Sequence, residues 1–377
     1  YLYLEYDGLA HEAGGRYQRL IYRTLTLDSW SEPVVLKEYW YHAGETNEVM
    51  WSNVKAVRDA EGGIHMVYEH EENIGSWQES RDASDIRYLY FDSASVVSDI
   101  QLSSSATDTA FPSVALASDG TAHVAWREGY SYAASSGTPV VRHVYGNGIS
   151  GWSAVETVSP MWTDAFALAI NSTGAPAVIL KNADGLHASR RESGLWSSAA
   201  PLAGLNAENA SNLHLFAPTG GAYQLFYRYG ASSTGWQYRA HWAEFTLDAD
   251  GSSAQVIRQK DIINESGADT LQNLSVLPAL DGAYHILYIN SIPGGNNRAG
   301  HAFFAHGAVN FDRYVSSEIM SVDSFVLAGA SLSNAVRVYF SGYLSGQSKL
   351  LYNRADYAAY AGAAAQQESV NVQAIVE

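Results

Sequence analysis

Cysteine is absent from the 377 residues, which excludes disulfides, thiolate metal sites and cysteine nucleophiles together. Basic side chains are few: 22 Lys and Arg stand against 39 Asp and Glu, a net charge of −17. The basic footprint of a general nucleic-acid binder is therefore missing. Charged residues of both signs make up only 16%, against about a quarter in ordinary domains. No apolar run approaches the ~18 residues of a membrane-spanning helix, so no membrane partner is expected. The chain also lacks a Ser-His-Asp elbow, a phosphate loop and any linker-like tract. It opens at Tyr1 without Met or a charged leader, and this reads as a processed start, the mark of a secreted or periplasmic protein.

What is plentiful is aromatic: 25 Tyr and 10 Trp within a composition that is 47% hydrophobic. Such rings suit a pleated, half-buried surface, and a chain of this length buries a large core. Acid is unevenly spread. Residues 1–102 carry net −10 and residues 248–377 net −5, whereas 103–247 carry only −2. That thinning is what a cleft for a polyanion needs. Among the basic residues, 17 Arg outnumber 5 Lys, and Arg is the better fork for carboxylate or sulfate.

A repeat decides the fold class. A turn glycine followed six residues later by a large apolar residue recurs as Gly62/Tyr68, Gly120/Trp126, Gly174/Leu180, Gly221/Tyr227 and Gly282/Tyr288, with Ser333/Tyr339 standing in once. Successive repeats lie 47 to 61 residues apart. Each slot follows a short apolar strand (53–57, 112–117, 166–170, 213–216, 274–277, 324–327) and precedes a third strand (86–91, 140–145, 186–190, 238–245, 300–305, 349–354). A weaker fourth strand follows, as at 98–102 and 154–158. Four antiparallel strands in roughly 50 residues make a propeller blade. Six units are complete, and a seventh is split across the termini. Residues 1–6, 17–26 and 33–36 read as its second, third and fourth strands, and the alternating segment 369–376 as its missing first strand, reached through an Ala-rich link at 358–365. The expectation is an all-β, seven-bladed propeller in one domain, closed by the C-terminal strand joining the first blade, and monomeric. Two sandwiches of about 190 residues each are the runner-up; the repeat running through residue 190 counts against them.

Histidine is the informative residue for chemistry, with 12 in the chain. His65, His123 and His285 sit three residues after a turn glycine, which is first a scaffold feature in which a core histidine satisfies a neighbouring carbonyl. His123 differs by its partner. With a turn near residue 133, His143 on the third strand comes out directly opposite it, and cross-strand Cβ atoms lie ~5 Å apart. With Arg127 and Arg142 nearby, two such imidazoles tune each other's protonation. In the fifth unit Tyr223 and Arg239 are symmetric about residue 231 and are expected to face each other, the cation favouring phenolate. Tyr227 fills the recurrent core slot, and Arg228 follows it.

A propeller with one His pair and one Tyr/Arg pair resembles the seven-bladed polysaccharide lyases that cleave ulvan, a sulfated rhamnose–uronic acid polymer. The resemblance implies an acidic polysaccharide substrate and β-elimination. His123 and His143 would be the active-site histidines, Tyr223 the catalytic tyrosine and Arg239 the carboxylate neutraliser. Arg127, Arg142, Tyr227 and Arg228 would bind substrate around them. No cofactor is required for the implied chemistry. Some members hold a structural metal partly through Cys, which this chain lacks; His241, His285 and His301 are the residues left for a substitute, and the metal remains unknown.

Two other classes stay open. A glycoside hydrolase or sialidase on the same scaffold predicts a close carboxylate pair or an Arg triad. The segment Ser118–Trp126 is a shifted, unrepeated version of the sialidase Asp-box, and the carboxylates Glu69, Glu71, Glu72, Asp82 and Asp85 fall mostly in an acidic 70–85 loop. A non-catalytic carbohydrate-binding propeller predicts near-equivalent sites in several blades, whereas the His/His and Tyr/Arg pairs are each read in one blade. The stretch Asp248–Gly251 reads as an Asx turn, since a calcium loop would need a Glu downstream.

Overall fold

In a computed structural model the described residues are 2–7, 16–22, 25–26, 29–41, 47–74, 84–92, 95–104, 107–131, 136–149, 151–218, 220–231, 237–263, 270–279, 282–291, 297–314, 321–329, 335–344, 347–356 and 373–375. Among them there are strands and turns and no α-helix. The Ala-rich link 358–365, residues 369–372 and most of the acidic 70–85 loop lie outside the described residues. The chain divides into two compact units: residues 1–178 with 189–199, and residues 179–188 with 200–377.

Five sheets are four-stranded meanders taken in chain order, the blade unit of a propeller. In the first unit these are Asn47–Arg58, Ile64–Ile74, Asp85–Phe91 and Val96–Gln101, then Asp108–Leu116, Ala122–Ser131, Ser136–Gly146 and Glu156–Ser159. In the second unit they are Ser211–Phe216 to Ala254–Ile263, Thr270–Pro278 to Ala308–Tyr314, and Ser321–Gly329 to Gln373–Ile375. A sixth sheet, Ala165–Ile170 to Ala200–Pro201, has five strands because its fourth position is split in two. The N-terminal sheet has three: Leu2–Asp7, Arg16–Tyr22 and Val34–Tyr41.

Seven blades were expected, six complete in sequence and one split across the termini, and five four-stranded ones form among the described residues. Two details correct the sequence reading. The C-terminal strand Gln373–Ile375 does not join the first sheet: Tyr352 pairs with Gln373, so it is the fourth strand of the last sheet. Without it the third strand Gln347–Asp356 would offer an unpaired edge, which this pairing covers. In the N-terminal sheet the strand read over 17–26 stops at Tyr22, and Leu25–Thr26 pairs instead with Ser29–Trp30.

The repeat has a physical basis. Each glycine closes the turn between first and second strands in the left-handed region, with φ of 85° at Gly120 and 83° at Gly174, a conformation that costs a Cβ-bearing residue. The Gly120 amide bonds the Ala117 carbonyl at 3.0 Å, and the Ala117 amide bonds Thr121 at 2.9 Å. Six residues on, an even count returns the chain to the same face of a strand flanked on both sides by others. Tyr68, Trp126, Leu180, Tyr227 and Tyr288 are accordingly all buried. In the first unit Trp126 packs among Val67, Ile86, Tyr88 and Val124, and in the second Tyr288 packs with Phe226, Trp242, Tyr284 and Phe304. Truncating one of these aromatics to Ala costs about 3–5 kcal/mol.

Candidate active site

The middle strands Ala122–Ser131 and Ser136–Gly146 pair with His123 opposite Tyr145 and Ala125 opposite His143. The histidines are thus diagonal neighbours, two positions from the expected register, and a bulge at Gly129 (φ 106°) accounts for part of the shift. Since the period of a strand is two, His123, Ala125, His143 and Tyr145 still share one face. Ala125, the residue opposite His143, is small, and the two rings meet: His123 Nδ1 lies 3.1 Å from His143 Nε2, with ring centroids 5.3 Å apart.

On the fourth strand Glu156 lies opposite His143, and its Oε2 is 3.2 Å from His143 Nδ1. Glu156 is held in turn by Arg191, whose Nε and Nη2 each donate to one of its carboxylate oxygens at 2.8 Å. Trp196 Nε1 adds a third donor group at 3.2 Å. The hairpin that pairs Arg191 with Trp196 brings both over the His face. Arg191 also lies 4.6 Å from the Tyr145 ring centroid and reaches its hydroxyl at 3.4 Å, and Tyr145 stacks on both imidazoles.

This line fixes the protons. A carboxylate only accepts, so His143 donates from Nδ1, and its Nε2 carries a lone pair. His123 then donates from Nδ1 to His143 Nε2, and its own Nε2 carries a lone pair with no hydrogen bond among the described residues. Burial, aided by the Arg191 charge, lowers His123 to about 4, against the opposing pull of Asp119 and Glu156. His143 is lowered to about 3 by burial, by His123 and by Arg191, with Glu156 opposing. Both rings are neutral near pH 7. For Glu156 burial resists ionisation, but the bonds from Arg191 and His143 outweigh it and hold the carboxyl below its usual range.

The remaining predicted residues fall elsewhere. Arg142 points to the opposite face from His143, bonded to Glu128 at 3.1 Å and to Thr157. Arg127 donates to the Asp164 carbonyl at 2.8 Å and covers the Phe111 ring. Tyr223 and Arg239 do not face each other: Tyr223 pairs with Phe245, and Arg239 with Tyr229. The hairpin is centred three residues later than the sequence reading placed it, so Tyr223 lies six residues along its strand from Arg239's partner, about 20 Å. Tyr223 is buried and stacked on Phe245. Arg239 instead joins Tyr229 and His241 on Asp261, at 3.2 Å for Arg239 and 2.8 Å for His241 Nδ1. Tyr227 donates to the Asn206 carbonyl at 2.9 Å as a core residue. Arg228 ties Ser211 to the Leu271 and Gln272 carbonyls beneath the Tyr238 ring.

A second His pair breaks the expectation of a single one. His285 Nδ1 and His301 Nε2 are 3.2 Å apart, with centroids at 5.3 Å. No group of three or more His, Asp or Glu arranged to hold a metal occurs among the described residues, and His241 is bound to Asp261 instead of joining this pair.

Sequence reasoning missed Glu156, Arg191, Tyr145 and Trp196. A Glu in the otherwise weak fourth strand, set against His143, was the available signal for the first.

No family model matches the chain, and no curated protein does. Solved structures do. An ulvan lyase, solved with -[GlcA(1-4)Rha3S]- bound, superposes with a TM-score of 0.53 at 10% identity over 83% of each chain. The Hadza microbial sialidase Hz136 superposes with a TM-score of 0.51 at 12% identity, covering 90% of this chain and 73% of that one. The fold is a β-propeller. At such identities the likeness extends to the fold, which carbohydrate-active enzymes of different chemistry share; the reaction has to be argued from the site.

Proposed function

We propose that this propeller is a secreted or periplasmic polysaccharide lyase that cleaves a uronate-containing, sulfated polymer of the ulvan type by β-elimination. The observation that carries the reading is the Glu156–His143–His123 line, which leaves a neutral imidazole nitrogen with a free lone pair. Beside it stand a cation and a phenol, the other two groups the reaction needs. Arg191, with Nη1 outside its pairing to Glu156, pairs with the uronate carboxylate and stabilises the enolate-like charge. His123 Nε2 takes the C5 proton. The C5–H electrons form the C4–C5 double bond, the C4–O bond breaks, and Tyr145 gives its hydroxyl proton to the departing oxygen. His143 and Glu156 orient His123 and offset the charge of its imidazolium. In this assignment Tyr145 and Arg191 take the parts that the family resemblance gave to Tyr223 and Arg239.

The same proposal holds the chain to be one seven-bladed, monomeric ring, acting on an acidic polysaccharide without nucleic acid, membrane or cofactor. Seven sheets of three or more strands among the described residues support it. The test is to incubate the protein with ulvan and follow the ultraviolet absorbance of an unsaturated uronate, with His123→Ala and Arg191→Ala alongside. A rise abolished by both variants is expected. No rise on ulvan or on other uronate polymers, with new reducing ends instead, makes the protein a hydrolase.

A further inference from the structure

The first strands of three blades carry the same irregularity. Ser52, Ala110 and Ser211 pair with Glu69, Arg127 and Arg228, each the residue after the buried aromatic slot. From there three steps on the first strand match two on its partner, which is a β-bulge. The residue that enters each bulge is left-handed: Asn53 with φ 49°, Phe111 with φ 56° and Asn212 with φ 49°. Asparagine suits this conformation, because its short polar side chain can bond nearby. Asn53 Nδ2 donates to Glu69 Oε1 at 2.8 Å, and Asn212 Nδ2 to Asn273 Oδ1 at 3.0 Å. Phenylalanine has no polar group to offer, and a bulky side chain there is an outlier. Backbone held in such a region gathers at ligand-binding positions.

Burial does not offset the strain, since Phe111 is 45% exposed. Its backbone is nevertheless fixed, with the amide donating to the buried Glu69 carboxylate. The ring is braced as well. The Arg127 guanidinium lies 4.5 Å from its centroid and is itself held by the Asp164 carbonyl at 2.8 Å. A lone exposed apolar residue is ordinary, but a ring that is strained, braced and turned to water is a preorganised binding surface.

Its place suits a polymer. Ala115 lies opposite His123 and Ala110 opposite Arg127, so Phe111 stands about four residues, roughly 13 Å, along the blade from His123. Arg127 and His123 are an even number apart and share one face of their strand. A flat apolar ring matches the C–H face of a pyranose, which leaves the sugar's hydroxyls and charges in water. We infer that Phe111 is a sugar-stacking platform, taking one pyranose of the polymer at a distance from the bond cleaved. It rests on the polysaccharide reading and adds a binding residue outside the reacting group.

Phe111→Asn gives this bulge the residue found in the two other blades, and Phe111→Tyr keeps a ring. Ulvan, alginate and chondroitin sulfate are the probes, titrated calorimetrically in a His123→Ala background that prevents turnover. Phe111→Asn is expected to weaken the tightest of the three by about fivefold or more, and Phe111→Tyr to stay within about twofold. The urea midpoint of Phe111→Asn should equal or exceed that of the parent, because the strain is relieved. With His123 present, KM should rise while kcat holds within about twofold. A lowered midpoint makes the ring a structural prop and overturns the inference. Unchanged binding by Phe111→Asn, a loss that Phe111→Tyr shares, or no binding of any probe does the same. If binding depends on Phe111 while no polymer yields unsaturated uronate, the platform stands and the lyase reading falls. If unsaturated uronate forms with unchanged KM in Phe111→Asn, the lyase reading stands and the platform falls.

Discussion

Glu156→Gln tests the site at its most connected atom. The carboxylate accepts from His143, from two nitrogens of Arg191 and from Trp196. A Gln amide has one acceptor oxygen, and its NH₂ would face donors, so at least one bond to Arg191 is lost with the ion pair. Hydrogen bonds to charged groups are worth about 1.5–3 kcal/mol. The Glu156 side chain is 25% exposed, so the low end applies, and a loss of roughly 2 kcal/mol in stability is expected from the shift of a urea midpoint. The effect on chemistry follows the sign of the charge. Glu156 raises the proton affinity of both histidines, while Arg191 lowers it. Neutralising the glutamate leaves Arg191 unopposed, so His123 becomes a weaker base and its imidazolium loses its counter-charge. One charge-assisted bond lost from the transition state, at about 1.4 kcal/mol per decade, corresponds to a 10- to 100-fold fall in kcat. The acid limb of kcat/KM should move below its wild-type position. Initial rates of unsaturated-uronate formation across the acid range measure both. A kcat within twofold of wild type, or an acid limb that moves upward, refutes the relay.

Wild-type kcat/KM should fall on acidification with a limb near 4, the value of the free His123, and stay flat through neutrality; a limb near 6.5 would mean an unburied base. Because both histidines are lower in the folded protein than in the unfolded chain, stability should be fully present above about 6.5 and decline as the pH falls towards 4, as thermal melts across that window would show. Tyr223→Phe should keep kcat within about threefold, since Tyr223 lies buried on Phe245; a hundredfold loss on the polymer would restore it to the site. Gly300→Ala should destabilise by about 3 kcal/mol or more, because the new Cβ would sit 2.1 Å from the Tyr288 ring; an unchanged urea midpoint would contradict that packing.

The strands and their period were legible because local chemistry sets them: a glycine turn, then a buried aromatic six residues later. Register was less legible, since it depends on turn length and bulges. A two-residue error left His123 and His143 on the same face and within diagonal reach. The hairpin of Tyr223 turns three residues later than expected, a register error of six that keeps the face but carries the tyrosine about 20 Å from Arg239. Arg191 and Trp196 were hidden for another reason. They arrive from a different sheet, and nothing in the spacing from His143 to residue 191 announces the contact. The C-terminal strand was assigned from the need to close a ring, whereas it pairs with the third strand of its own sheet.

His285 and His301 reproduce the diagonal register, the ring spacing and the nitrogen contact of His123 and His143. The fourth-strand residue facing His301 is Arg313, where Glu156 faces His143. The repeat therefore sets the same pair of imidazoles in two blades, with an acid at the fourth-strand register position of one and an arginine at that of the other. Chemistry on such a scaffold can move from one blade to another without rebuilding a core, which makes blade-by-blade transplantation of the acid a practical route to new sites.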